Sequence, residues 1–352
     1  MSAKVPAHRV VSHRMPNERG VVVRHRLRSR ALAGNALGDP VERDVYVYLP
    51  PGYDSLAAAE RRFPVVYVLA GYTGRGVMLL QSSGWNEGLD RRLDRLIGEG
   101  RVRPLIAVFP DCFTRWGGSQ YLDSSATGRY ETYLIDELIP WVDKTFRTLP
   151  DRRHRAIAGK SSGGYGAMIQ GMRHGEVFGS VVCHSGDAAF EYCYLPDFPR
   201  FLDQIRQHGG VQGFVRAFDA APKKTMSLIT AMNILAMASS YSPNPRKKST
   251  FGIELPFDLE TGEIVPEVWR RWLAHDPVRL VRRYRGRLKK LRFLFLDCGL
   301  RDEFNLQWGA RMLSRELTRH GVRHVHQEFD DGHMDVAYRY EVSFPLLSKH
   351  LG

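Results

Sequence analysis

The chain reads as an α/β protein built on a mainly parallel eight-stranded sheet with helices on both faces and an inserted cap. Three observations predict this. Short apolar runs alternate with amphipathic helical stretches along most of the 352 residues, which is the pattern of βα units. One apolar run passes directly into a glycine-rich helix start. A single long segment, 187–275, holds no convincing buried strand.

The strands are expected at 20–28, 44–49, 64–69, 105–109, 156–158, 180–184, 291–297 and 325–329. The first two, with Pro50-Pro51-Gly52 behind them, read as an antiparallel lead-in. Apolar residues recur at spacings of three and four over 86–98, 130–146 and 306–320, which predicts helices there. A further helix is expected over 223–238, where Met226, Ile229, Asn233 and Met237 share a face; packing of the cap onto the sheet explains that face better than contact with a ligand. The division that follows is 1–186 as the first part of the core, 187–275 as the cap or lid, and 276–352 as the rest of the core. Long insertions between sheet strands tend to carry function, and this one is rich in aromatics: Phe190, Tyr192, Tyr194, Phe198 and Phe201.

Composition narrows the classes. A hydrophobic fraction of 43% and a charged fraction of 25% are those of an ordinary globular chain. No apolar run approaches the ~18 residues of a membrane span, and residues 1–35 lack the apolar stretch of a secretory signal, so a cytoplasmic protein is expected. Four cysteines without a CxxC pair argue for free thiols, against a disulfide framework or a zinc site. The net charge of +13 is clustered, with eight Lys or Arg in residues 1–30 and ten in 270–292. Arg24, Arg26, Arg28 and Arg30 alternate with other residues as on the solvated face of a strand, and no aromatic stacking pattern accompanies them. No nucleic-acid partner is therefore expected.

The strongest local signal is Gly159-Lys160-Ser161-Ser162-Gly163, a G-x-S-x-G element after an apolar strand and before a helix-compatible run. That context makes a nucleophile elbow, in which a serine sits on a sharp strand-to-helix turn too cramped for side chains two positions away. Gly164 and Gly166 would let the following helix approach the sheet. A phosphate loop is the competing reading of Gly-Lys-Ser, but it needs glycine at the position of His154.

A serine hydroxyl needs a histidine base, and the histidine needs a carboxylate; in the α/β-hydrolase fold these follow in the order Ser, Asp or Glu, His. After the seventh strand come Asp297, Asp302 and Glu303, of which Asp302, past the Gly299 turn, is the expected acid. After the last strand comes Gly332-His333, and His333 is the expected base, since His320, His324 and His326 lie on a helix end or in a strand. The oxyanion donors are expected at the amides of Ser162 and of Tyr72, in the loop Leu69-Ala70-Gly71-Tyr72.

With these residues assembled the chain resembles the putative esterase family of α/β-hydrolases, which includes S-formylglutathione hydrolase, enterochelin esterases, feruloyl esterases and mycolyltransferases. The resemblance runs from about Val45 to Leu351. It rests on Val45-Tyr46-Val47-Tyr48-Leu49-Pro50-Pro51-Gly52-Tyr53, Val66-Tyr67-Val68-Leu69-Ala70-Gly71, Pro110-Asp111, Gly118-Ser119-Gln120-Tyr121, Glu137-Leu138-Ile139-Pro140, the elbow, Asp297-Cys298-Gly299 with Asp302, and Gly332-His333. It implies nucleophile Ser161, acid Asp302, base His333, oxyanion donors Tyr72 and Ser162, and no metal or organic cofactor. Lys160 departs from the apolar or His-like residue usual before the nucleophile, and Ala70-Gly71 from the usual His-Gly or Ser-Gly.

The expectation is a serine carboxylesterase acting on small to medium acyl or aryl esters, feruloyl types included, through an acyl-enzyme. An acyltransferase using the same triad and a non-catalytic binding protein of the same fold are the alternatives. The partner is a small-molecule ester, and a homodimer is one assembly left open.

Overall fold

A computed structural model describes residues 19–55 and 60–352. The basic positions expected at residues 1–18 lie outside the described residues. The strands are β1 (Val21–Arg28), β2 (Glu42–Leu49), β3 (Val65–Leu69), β4 (Ile106–Pro110), β5 (Arg155–Lys160), β6 (Ser180–His184), β7 (Phe293–Gly299) and β8 (Val325–Phe329). They form one sheet in the order β1-β2-β4-β3-β5-β6-β7-β8. β1 with β2 and β2 with β4 pair antiparallel, and the other pairs are parallel. The sheet is thus mixed, with the antiparallel lead-in at one edge.

Every residue of β3, β4, β6 and β7 is buried, as strands covered on both faces must be. Alternation divides them between two cores. Val65, Tyr67 and Leu69 of β3 face one, and Val66 and Val68 face the other. At the edge, β1 alternates as expected: Arg24, Arg26 and Arg28 are exposed, and Arg24 makes a two-pronged contact with Asp44.

The strand ends depart from the sequence reading at two places that matter. β5 runs on to Lys160 because Gly159 is paired on both sides, with Leu69 and Cys183, and Lys160 on one, with His184. β7 is shifted to end at Gly299, where Cys298 and Gly299 pair with Glu328 and Phe329. Both extensions carry the chain to the rim where the candidate site residues begin.

Helix α1 (Leu89–Gly98) buries Leu89, Leu93 and Leu96 against the second core, beside α6 (Tyr340–Ser348). Helix α2 (Ser162–Arg173) follows β5, and α5 (Leu306–Arg319) packs on β7. Between β6 and β7 the chain forms helices Phe190–Cys193, Phe198–Gln207, Val211–Ala220, α3 (Met226–Tyr241), Pro266–Leu273 and α4 (Pro277–Leu288). The last eleven residues of α3 are buried except Asn233, and their apolar side chains join the same core as β3 and β5. Among the described residues no helix is long and apolar enough to cross a membrane.

The aromatics of this segment face inward. Phe190 lies 4.8 Å from Tyr194 and 5.0 Å from Tyr241, and Tyr241 lies 5.4 Å from Trp272, centroid to centroid. Phe198 and Phe201 are buried as well, and only Tyr192 is largely exposed. Tyr165 of α2 meets Phe190 at 6.1 Å and Tyr241 at 5.9 Å, which ties the insertion to the body of the protein.

Phe344 on α6 is fully buried in the second core. Replacing it with Ala is expected to lower the unfolding free energy by about 3–5 kcal/mol, measured by urea denaturation with circular dichroism.

Candidate active site

Where the neighbour order of a parallel sheet reverses, the loops at the strand ends part and leave a crevice. Here β3 has β4 on one side and β5 on the other, so the loops after β3 and β5 meet at that point. A Cβ on Gly71, just past β3, would stand 3.3 Å from the Lys160 carbonyl oxygen and 3.4 Å from Ser161 Cβ.

Ser161 takes φ 59° and ψ −129°, a conformation L side chains seldom adopt. Its N–H donates to the His184 carbonyl at 2.9 Å, and its carbonyl accepts from Tyr165 N–H at 2.8 Å. The flanking glycines are required by contact: a Cβ on Gly159 would fall on the Gly163 carbonyl, and one on Gly163 on the Leu69 carbonyl. Gly164 admits the His184 carbonyl, as expected of a helix set close to the sheet. Gly166 makes room for the Tyr121 ring as well as for the Leu69 side chain of β3.

Asp302 and His333 are brought together from separate loops. His333 Nδ1 lies 2.7 Å from Asp302 Oδ2, and both residues are buried. Asp302 Oδ1 accepts from Phe304 N–H at 2.9 Å, so the carboxylate is fixed from both ends. The Phe304 ring meets the imidazole edge-on at 4.8 Å. The two rival carboxylates have other tasks. Glu303 accepts the backbone N–H of His333 at 2.6 Å. Asp297 bonds His184 Nδ1 at 2.6 Å and Arg339 Nε at 2.8 Å, while His184 Nε2 lies 3.0 Å from Ser343 Oγ. Of the other histidines, His324 pairs with Ser314 and His320 lies beside Glu316.

Ser161, Ser162, Tyr72 and His333 line one cavity of about 380 Å³. No hydrogen bond joins Ser161 Oγ to His333; catalytic hydrogen bonds of this kind often tighten only in the substrate complex. Among the described residues the amides of Tyr72 and Ser162 make no hydrogen bond within the protein. Tyr72 is anchored instead through its hydroxyl, which donates to the Trp116 carbonyl at 2.9 Å. Met226, Ile229 and Asn233 of α3 line the opposite wall, whereas Met237 is buried in the core. The helix face read as plain packing is therefore divided, its first two turns turned to the cavity. Of the aromatics singled out in the insertion, Tyr194 alone is among the lining residues; Phe304 and Met334 add to the apolar wall with α3, as do Met78, Leu79 and Leu306.

Two ionisable groups in this wall lie beside the candidate residues: Asp187, which the sequence reading gave no role, and Lys160, which it marked as a departure before the nucleophile. Asp187 accepts from Gln120 Nε2 and Tyr194 OH, both at 2.9 Å, and from Ser162 Oγ at 3.3 Å. Burial nevertheless holds its carboxyl above the ordinary value, with these bonds and the charge of His333 pulling it down. Its position just after β6, at the carboxyl edge of a parallel strand, was the available signal. Burial likewise pushes the Lys160 ammonium below its ordinary value, opposed by Asp302, Asp335 and Glu303. Among the described residues no three His, Cys, Asp or Glu side chains are grouped to hold a metal ion.

A family model described as Putative esterase matches residues 35–344. The chain is 35% identical over 152 residues to an endo-1,4-beta-xylanase/feruloyl esterase of Xylanibacter ruminicola, which covers 43% of this chain and 20% of that protein. It is 34% identical over 88 residues to an esterase of Mycobacterium tuberculosis, covering 25% of this chain and 19% of that protein. The chain thus spans about one fifth of the length of these curated relatives. Among solved structures it is similar to a ferulic acid esterase, with TM-score 0.61, 21% identity and coverage of 95% of this chain and 99% of that one. It is also similar to an S-formylglutathione hydrolase of Agrobacterium tumefaciens, with TM-score 0.57, 18% identity and coverage of 95% and 96%. These likenesses extend over the α/β-hydrolase fold.

The raised Asp187 carboxyl has a pH signature. A group that binds its proton more tightly when folded favours the folded state below its unfolded value, and this contribution is lost as pH rises through the folded value. Asp187→Asn removes the titration. The melting temperature of the variant relative to the parent is expected to be higher at pH 7 than at pH 4, measured by thermal unfolding at both.

Proposed function

Since the chain belongs to the Putative esterase family, we propose that it is a serine carboxylesterase working through Ser161, His333 and Asp302. The observation that carries this reading is a serine held at φ 59° on the rim of the cavity that the Asp302-bound His333 also lines. A carboxylesterase needs those three groups and two free amide donors at one place.

In the proposed reaction Ser161 Oγ attacks the ester carbonyl while His333 Nε2 takes its proton, and Asp302 stabilises the imidazolium through Nδ1. The carbonyl oxygen becomes an oxyanion between the amides of Tyr72 and Ser162, the latter on the first residue of α2, where the helix dipole also favours negative charge. One well-placed donor of this kind is worth about 3–4 kcal/mol in the transition state. Collapse breaks the bond to the leaving oxygen, which receives the proton from His333. A water molecule, giving its proton to His333, then attacks the acyl-enzyme, and collapse releases the acid and returns the proton to Ser161. Glu303 is a positioning residue that fixes the backbone of His333.

A cavity of about 380 Å³ with Met226, Ile229, Phe304 and Met334 in its walls supports small to medium acyl or aryl groups. Ferulic acid esters, after which the similar ferulic acid esterase is named, fall within that range. The four cysteines are all buried and unpaired, which is in keeping with the cytoplasmic location expected from the sequence.

Ser161→Ala is expected to abolish hydrolysis of 4-nitrophenyl and methyl hydroxycinnamate esters, and Asp302→Asn to lower kcat by roughly 10⁴-fold. Stopped-flow release of nitrophenol with intact-mass detection of the acyl adduct checks both. Turnover surviving in Ser161→Ala removes the proposal.

A further inference from the structure

We propose that Lys160 makes the cavity selective for esters whose acyl chain ends in a free carboxylate, a deepening that rests on Ser161 as the nucleophile. Lys160 is the last residue of β5, one peptide bond from Ser161, and its half-buried side chain lines the same cavity. An ammonium has three donors and no acceptor. Among the described residues that of Lys160 makes no hydrogen bond and no ion pair within 4.0 Å.

The carboxylates around it are either occupied or distant. Asp302 is bonded to His333 and the Phe304 amide, and Glu303 to the His333 amide. Asp335 is exposed and acts on Lys160 only through its longer-range charge. Across the cavity Asp187 is committed to Gln120, Tyr194 and Ser162, with burial favouring its uncharged form.

A partly desolvated cation with vacant donors in a wall otherwise formed by groups such as Leu79, Ile229 and Phe304 gains most from a charge-assisted bond to an anion. A bound carboxylate would also offset the burial that depresses the ammonium. Arg75 adds positive charge at the exposed rim, where its guanidinium stands 3.7 Å from Asp111 and lies over the Phe113 ring. The nearness of Lys160 to the scissile carbonyl and the modest volume favour a compact carboxylate on a short acyl chain.

The test compares kcat/KM for the 4-nitrophenyl hemiester of glutaric acid with that for 4-nitrophenyl valerate, its neutral counterpart, and for the valeryl ester of 4-hydroxybenzoate, which carries the anion on the leaving group. The parent is expected to prefer the glutarate ester. In Lys160→Met the glutarate-to-valerate ratio is expected to fall by roughly tenfold, whatever happens to the absolute rates, and in Lys160→Arg to be retained. An unchanged ratio in Lys160→Met overturns the proposal, as does a parent preference for valerate or for the hydroxybenzoate ester. Calorimetric titration of monomethyl glutarate into Ser161→Ala, with and without Lys160→Gln, reads the same contact without turnover. About tenfold weaker binding without the lysine supports it, and equal binding overturns it. If Ser161→Ala retains hydrolysis the nucleophile assignment fails, while the titration still decides the role of Lys160.

Discussion

The strained turn at Ser161 exists because the chain around it leaves no room for any other path. A Cβ on Gly159 would strike the backbone of Gly163, one on Gly163 the carbonyl of Leu69, and one on Gly71 would press on Ser161. Two stretches of chain, 69–71 and 159–163, therefore meet with hardly a side chain between them. A left-handed serine is costly on its own, and it persists because its amide is taken by His184 and its carbonyl by Tyr165. The geometry of the candidate site follows from this junction: the hydroxyl stands at the rim, α2 begins immediately behind it, and the loop after β3 is brought within reach with its Tyr72 amide unused.

Charge at the carboxyl ends of β6 and β7 is arranged with equal economy. Four acidic residues lie within a short distance in the chain or in space, and each has its own partners. Asp297 joins His184 and Arg339 inside the body of the protein, Asp302 orients His333, Glu303 holds the amide of the same histidine, and Asp187 sits in a ring of hydroxyl and amide donors. Lys160 stands near Asp302 and Glu303, and among the described residues it has no partner at short range.

The sheet was legible in the sequence because its strands are short, apolar and bounded by turn residues, and all eight expected strands form. The antiparallel lead-in at β1 and β2 was legible from Pro50-Pro51-Gly52, and the exposed face of β1 from the alternating arginines. Candidate site residues were found through order along the chain: Ser161 by its glycines, Asp302 and His333 by following the seventh and eighth strands. What could not be read was which neighbours these groups would have. Nothing in the string Asp302-Glu303 says that one carboxylate faces an imidazole and the next a backbone amide, since a one-residue step reverses direction and the partner lies some thirty positions away. The inward packing of most aromatics of residues 187–275 was hidden for the same reason. Composition marks them as important, but only packing reveals that they turn inward, leaving Met226, Ile229 and Asn233 to face the cavity.

The shared core beneath α3 bears on how a ligand gets in. Ala231, Leu235 and Tyr241 are interleaved with side chains from the sheet, whereas Met226 at the start of the helix is two-thirds exposed. Swinging the whole segment aside would strip water-shy surface from the protein's own centre, so a hinged door is disfavoured. Admission would instead fall to the loose thioether at the helix's first turn, a curtain that yields by rotating single bonds, and the entrance would sort molecules by girth rather than by length.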